Sequence, residues 1–541
     1  MTTAVPRGPR PGAGRAFACR PRLAAAALAV LPLAVLAPAP SAFADSLDER
    51  QALADLRTDI DALLADPSLT GAVSGVVVAD PETGERLYER DGGEPLVPAS
   101  AMKLFTTAAA LELLGTDHTF TTEAVADRRG RSRSVGDVYL VGGGDPALTV
   151  DDLDAMAAEV AASGVRGVRG DVVADDTWFD DERLVDDWWP SDEPYAYSAQ
   201  ISALTVAHGE RLDTGVTEVV VTPAAEGEPV RVDLGAAEGY MELDNSAVTV
   251  AAGGSGSVVV DRPTGTNTIT VTGTLPEGAA PVVRLRTVDE PAVFTAHLFR
   301  RALERHGVTV RGDVSPGRAP ERHRRIDVLA DHESEELGEL LPALLKFSNN
   351  GHAEMLVKTL GRETSGEGSW SSGGAAVERA VSGLGVDTSG LVFHDGSGLS
   401  RTDRITAVSL TELLDHSREA SWYGTWSEAL PLAGDPDPWV GGTLAGRMGG
   451  TAADGVVRAK TGTMTGVSVL SGYVTGPDGD QRVFAIVNNG HTGRVPWPVQ
   501  DAIAVRLAEY LGHEAVIALR AERAPGPRGS RELECSWELT C

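Results

Sequence analysis

Cysteine is almost missing from this chain: Cys19, Cys535 and Cys541 are its whole supply in 541 residues. The first lies before any pattern that could build a core, and the other two sit in the last seven residues. No disulfide framework, no C-x-x-C metal site and no thiol chemistry is expected. The 11 histidines form no cluster, so metal ligation is not indicated either. Lysine is just as scarce. Lys103, Lys346, Lys358 and Lys460 are the only four, whereas arginine is used freely. Aromatic residues make up 5%. No apolar run in the chain is long enough to span a bilayer comfortably.

What is present is a globular composition, 42% hydrophobic and 23% charged, in a length that suits two or three domains. Arg7, Arg10, Arg15, Arg20 and Arg22 precede an apolar run from Leu23 to Leu36, and Ala42-Phe43-Ala44 follows as a small-x-small site. That order predicts a secretory signal peptide over 1–44 and a secreted, extracellular or wall-associated mature chain. A membrane anchor is the poorer reading, because Pro32 interrupts the run and Pro38 follows it. Loss of those five arginines takes the formal charge from −31 to −31 − 5 = −36. So acidic a chain is a poor partner for nucleic acid or anionic membranes.

Periodicity predicts a helix through Leu53, Leu56, Ile60 and Leu64, a hairpin over Val73 to Arg90, and a helix from Ala101 to Leu114. From about 120 to 325, short Val/Thr-rich runs alternate with Gly, Pro and Asp turns, with helices at Asp151 to Ala162 and Ala292 to His306. Helical character is expected to return near Ile326. A hairpin (Val467 to Val474, Arg482 to Asn488) and a helix (Val499 to Leu511) close the pattern. The fold expected is one α/β domain, an antiparallel sheet with helices, built from 45–119 and 326–520. A β-rich insertion of one or two domains, 120–325, interrupts it, and a loose tail follows from 521.

Lysine can lose its proton near neutrality where arginine cannot, so the four lysines locate candidate chemistry. Lys103 lies three residues after Ser100, one turn away on the same helical face. Ser100 follows Pro98-Ala99, where unpaired N–H groups of a starting helix gather. Alone, this is also what a capping serine beside a solvated lysine looks like. Ser348-Asn349-Asn350 falls between two helices, and alone is a polar loop with caps. Lys460-Thr461-Gly462-Thr463 precedes the Val467 strand, and alone is a turn. Asp244-Asn245-Ser246 has similar letters but β-rich surroundings, and reads as a turn without chemistry. Ser-x-x-Lys, Ser-x-Asn and Lys-Thr-Gly in that order, each in suitable local structure, form a specific signature.

On these boxes the chain resembles the D-alanyl-D-alanine carboxypeptidase/endopeptidase family, the class C low-molecular-mass penicillin-binding proteins. The 248 positions between Ser100 and Ser348 suit that family's inserted domains and are too many for a compact β-lactamase. Gly142 to Pro146, Tyr197 to Leu204, Asp395 to Arg401 and Gly442 to Leu444 look like further family stretches. The middle residue of Ser-Asn-Asn departs from the commoner Ser-Asp-Asn. The resemblance implies a penicillin-binding/β-lactamase-like fold and a serine DD-peptidase without cofactor or metal. Peptidoglycan stem peptides would be its substrates and β-lactams its acylating inhibitors.

It also implies roles. Ser100 is the nucleophile and Lys103 its base, with Lys460 helping to keep Lys103 neutral. Ser348 relays a proton to the leaving amine and Asn350 holds the penultimate amide. Thr461 and Thr463, with Lys460, bind the terminal carboxylate along the Gly462 strand edge, and the N–H groups of Ser100 and Thr463 form the oxyanion hole. A serine β-lactamase and a non-catalytic wall-binding protein are the competing readings.

One further segment stands out. Asp186 to Tyr197 concentrates acids and aromatics. It reads either as a solvated acidic loop or as a lid that selects a diaminopimelate-type amine. In the second reading Trp189 and Tyr197 cover the stem, Asp192 pairs the ammonium, and Met464 forms an apolar wall.

Overall fold

The computed structural model describes residues 42–127, 133–320 and 326–514. The expected signal peptide, all but its last residues, the tail from 521 and all three cysteines lie outside the described residues. The chain divides into two compact units, Met1–Arg50 and Gln51–Cys541. Of the first, only the opening turns of helix α1 (Ala42–Leu63) are described. No helix among the described residues is long and apolar enough to cross a membrane.

The second unit is organised by a five-stranded antiparallel sheet that joins the two ends of the sequence. Its strands are β1 (Val73–Asp80), β2 (Glu85–Arg90), β3 (Val457–Met464), β4 (Val467–Thr475) and β5 (Gln481–Asn489). The spatial order is β2-β1-β5-β4-β3, so the first strand of the chain lies beside the last. Alternation along each strand supplies both faces with apolar side chains. Val76, Val78, Leu470, Phe484 and Ile486 face α1 and the closing helix α7 (Trp497–Tyr510), through Leu56, Ile60, Ile503 and Leu507. Val77, Val469, Tyr473, Val483, Ala485 and Val487 face the opposite layer.

That layer holds α2 (Met102–Leu114), α3 (Leu337–Lys346), α4 (Asn350–Ser365), α5 (Trp370–Gly383) and α6 (Ala407–Ser417). Helix α2 is buried from Met102 to Leu111 on every side, which a sequence of Ala, Leu, Thr and Phe tolerates and a charged one would not. Its Lys103 is therefore buried by the position of the helix. Sequence reading overlooked α5, because Ser371-Ser372-Gly373-Gly374 looks like a loop. A reciprocal capping box between Ser369 and Ser372 starts the helix, and its glycines allow close approach: a Cβ on Gly373 would lie 2.1 Å from the Val357 carbonyl oxygen.

Residues 121–333 form their own sheets and their own apolar cluster. The largest sheet has Thr121–Asp127 paired antiparallel with Ile326–Glu333, so the chain enters and leaves this block side by side. Helices Val150–Ala162 and Pro291–Arg305 pack against this block, close to their expected bounds. Two local expectations need correction. Helical character returns at Leu337, not Ile326, because Ile326–Glu333 is a strand held by its partner Thr121–Asp127. Asp244 and Asn245 are the end of a strand, Glu242–Asn245, that pairs in parallel with Thr268–Thr272.

Candidate active site

The nucleophile candidate sits on a one-turn 3-10 helix, Ala99–Ala101, that feeds α2. Ala99 has φ +44°, a conformation that costs a non-glycine residue of order 1 kcal/mol or more and clusters at functional sites. The turn is clamped from two sides. A Cβ on Gly398 would lie 1.8 Å from the Ala99 carbonyl oxygen, and one on Gly462 would lie 3.1 Å from the Ser100 nitrogen. Only glycine lets the two neighbouring segments come so near.

Lys103 donates to Ser100 Oγ at 3.1 Å, to Asn350 Oδ1 at 2.7 Å and to the Ser397 carbonyl at 2.8 Å. It is fully buried. Burial first, and the nearby Lys460 charge second, push its pKa well below the usual lysine value, while Glu354 and Asp395 pull the other way. A buried amine that gives up its proton readily, in contact with a hydroxyl, has the placement that general-base chemistry requires.

The second box occupies the α3–α4 joint, as expected. Ser348 has φ +59°. Asn349 caps α4 by accepting from His352 N, and its amide donates to the carbonyls of Arg211 and Leu212. The middle residue of the box thus has a structural task. Asn350 begins α4 and donates to the Tyr197 carbonyl at 2.8 Å. The third box is not a turn before a strand. Lys460 to Met464 lie within the edge strand β3, because Thr461 and Gly462 pair with Leu470 and Val469 of β4. Lys460 donates to Ser348 Oγ at 2.9 Å. Thr461 Oγ1 donates to Thr443 Oγ1 at 2.7 Å, and Trp497 Nε1 donates to Thr463 Oγ1 at 3.3 Å. The bonds make two sets, Ser100–Lys103–Asn350 and Ser348–Lys460, and the approach of Gly462 to the Ser100 nitrogen brings the two together across 360 positions of sequence.

All four lysines of the sequence are buried. Lys346 donates to the carbonyls of Glu428, Leu430 and Val440, and so ties α3 to the loop before β3. Lys358 donates to Asp180 and the Glu182 carbonyl, with its ammonium 3.7 Å from the Trp370 ring centre. Removal of the Lys346 amine leaves three carbonyls without their donor, that of buried Leu430 among them. Lys346→Met is therefore expected to lose about 2–4 kcal/mol of stability, read by urea unfolding.

The Asp186–Tyr197 segment does lie near this cleft. Asp187, Trp189, Asp192, Tyr197, Leu399, Arg401, Met464 and Thr465 line an open hollow of about 450 Å³. Trp189 is 50% exposed, and the Arg401 guanidinium sits 4.7 Å from its ring centre. Asp192 accepts a hydrogen bond from the Tyr197 hydroxyl. Its pKa is raised by partial burial, against the effect of Tyr197, Ser191 and Arg401. Sequence reasoning assigned no role to Arg401, Thr443, Glu354 or Asp395. The stretches containing Asp395, Arg401 and Thr443 had been singled out. Glu354, one turn beyond Asn350 on α4, carried no signal of its own.

Residues 56–510 match the D-Ala-D-Ala carboxypeptidase 3 (S13) family. The chain is similar to a D-alanyl-D-alanine carboxypeptidase of Actinomadura sp. (strain R39), 64% identical over 537 residues and 99% of each chain. It is also similar to carboxypeptidase DacB of Mycolicibacterium smegmatis, 31% identical over 471 residues, 84% of this chain and 83% of that one. The fold matches the crystal structure of penicillin-binding protein 4 (dacB) from Haemophilus influenzae with a TM-score of 0.72 at 22% identity, over 84% of this chain and 99% of that one. The three boxes, their convergence and these likenesses agree: the chain belongs to the D-Ala-D-Ala carboxypeptidase 3 (S13) family.

Proposed function

We propose that this protein is a secreted serine DD-peptidase that cleaves the D-Ala-D-Ala bond of peptidoglycan stem peptides through an acyl-enzyme on Ser100, and that β-lactams acylate the same residue. The observation that carries the reading is the Lys103 amine, depressed in proton affinity and 3.1 Å from Ser100 Oγ. Ser100 Oγ attacks the scissile carbonyl as its proton passes to Lys103 Nζ. The N–H groups of Ser100 and Thr463 receive the negative oxygen. As the C–N bond breaks, Ser348, held by Lys460, relays a proton to the leaving amine. Asn350 holds the penultimate amide. Water then hydrolyses the ester and frees Ser100. The substrate carboxylate is met by Lys460, Thr463 and the proton left over from the Thr461–Thr443 hydroxyl pair. Two assays test this: covalent labelling with a fluorescent penicillin, and release of D-Ala from a synthetic peptide. Labelling without peptide hydrolysis, or rapid turnover of the penicillin, would overturn it.

The hollow beside the cleft supports a finer substrate reading. Asp192 and Arg401 offer one charge of each sign beside the Trp189 ring and the Met464 side chain. A stem-peptide side chain that ends in both an ammonium and a carboxylate, as diaminopimelate does, would place the first on Asp192 and the second on Arg401. Its methylenes would run over Trp189, Tyr197 and Met464. A partly shielded ion pair of this kind contributes about 1–3 kcal/mol, or roughly tenfold to a hundredfold in kcat/KM. The comparison is one peptide with its side-chain amine free or acetylated, on wild type and on Asp192→Ala. The free amine should be preferred by wild type and not by the variant. Equal kcat/KM for the two peptides on wild type would end the idea.

A further inference from the structure

The segment from Asp395 to Thr402 has almost no regular secondary structure, yet every backbone N–H along it is bonded to a side-chain oxygen. Asp403 accepts from Asp395 N, and Glu354 from Gly396 N and Ser397 N, at 2.9 and 2.8 Å. Asp395 accepts from Gly398 N and Ser400 N, both at 2.6 Å. Ser397 Oγ accepts from Leu399 N, and Asp187 from Arg401 N and Thr402 N. Two indoles complete the set: Trp370 Nε1 donates to Glu354 at 2.8 Å, and Trp188 Nε1 to Asp395 at 3.0 Å. The one carbonyl of this strap that meets the reaction centre is that of Ser397, which receives Lys103 Nζ. The two peptide nitrogens that precede this carbonyl, those of Gly396 and Ser397, are held by Glu354, and the Gly398 nitrogen in the carbonyl's own peptide plane is held by Asp395.

Glu354 is fully buried on α4. A charge in such a place costs several kcal/mol unless it is compensated. Three N–H donors converge on it, and only an acceptor-only group can satisfy all three at once; a glutamine turns one of its two polar atoms into a competing donor. The charged groups facing Lys103 are Lys460 from β3, Glu354 from α4 and Asp395 from the strap, with Asp403 behind Asp395. We infer that Glu354 is a positioning residue for the reaction: through the Gly396 and Ser397 N–H groups, and with Asp395 on the Gly398 N–H, it holds the strap whose Ser397 carbonyl Lys103 binds, and its carboxylate, with that of Asp395, faces Lys103 opposite the Lys460 charge. This rests on Lys103 being the base of the reaction.

Burial first, and Asp395 second, push Glu354 up to about 7. Loss of the carboxylate leaves Lys103 facing Lys460 with less compensation. Its proton affinity falls further, and the neutral form persists to lower pH. The experiment is the pH dependence of the penicillin acylation rate for wild type, Glu354→Gln and Asp395→Asn. Covalent labelling counts only folded molecules, so partial misfolding does not hide the limb. The acid limb should move to lower pH by about one unit in both variants, and the plateau rate should fall by roughly tenfold or more. A lower plateau with an unmoved limb in both variants would reduce Glu354 to a packing element and overturn the inference. Acylation that survives Lys103→Met would instead remove the base itself, a separate failure.

Discussion

Ser100→Ala should carry no penicillin adduct and release no D-Ala, while its melting temperature stays within a few degrees of wild type. The side chain lost is a single buried hydroxyl whose recorded partner is Lys103. Its removal therefore costs about 1 kcal/mol of stability at most. The chemical loss is total, because every covalent step runs through that oxygen. Another serine hydroxyl near the centre is that of Ser348, which Lys460 holds. If Ser348 were the nucleophile, labelling would persist in Ser100→Ala and vanish in Ser348→Ala. That pattern of adducts, read by intact-mass spectrometry, would overturn the assignment.

Lys103→Met should slow acylation by a factor of about 10³–10⁴. Methionine fills much the same volume, so the fold around α2 is retained. Lys103→Arg should not rescue the rate, because a guanidinium stays protonated at any working pH. The two variants together separate a proton acceptor from a mere positive charge. The pH profile gives a third check. The lysine's pKa lies well below its ordinary value, so the neutral amine is more accessible than in a free lysine and is lost as pH falls through the depressed value. Acylation should therefore show an acid limb in wild type. A charge-only role would give the opposite result: Arg would restore the rate, and no acid limb would be traceable to Lys103.

Much of the site was legible because its chemistry is local in sequence. Ser100 and Lys103 are one helical turn apart, and Ser348 and Asn350 bracket a helix start, so spacing alone brings each pair together. The scarcity of lysine helped further, since the four retained ones all proved to be buried. The sheet was half legible. The apolar runs at Val73 and Val467 announce strands, but nothing local says that β1 pairs with β5. The Lys460 strand was missed because Lys-Thr-Gly-Thr has little strand pattern; pairing with β4 makes it one. Helix α5 was hidden by two glycines, one needed for contact with α4 and the other for contact with the Phe393 carbonyl. Glu354 was invisible for a different reason. A glutamate on a helix is ordinarily a solvated face, and only the three-dimensional path of residues 395–400 makes it a buried acceptor.

The order of strands in the central sheet also governs when the enzyme can exist. Ser74 and Asn488 hydrogen-bond across 414 positions, and β5 lies between β1 and β4. Until β5 has been made, β1 and β2 form only a two-stranded hairpin, which is marginal in water. Closing so long a loop is slow. A growing chain thus displays Ser100 early in synthesis but has neither the Lys460 strand nor a floor beneath α2. The Lys460 strand joins β1 only through β5, so a copy truncated before Gln481 should not acylate.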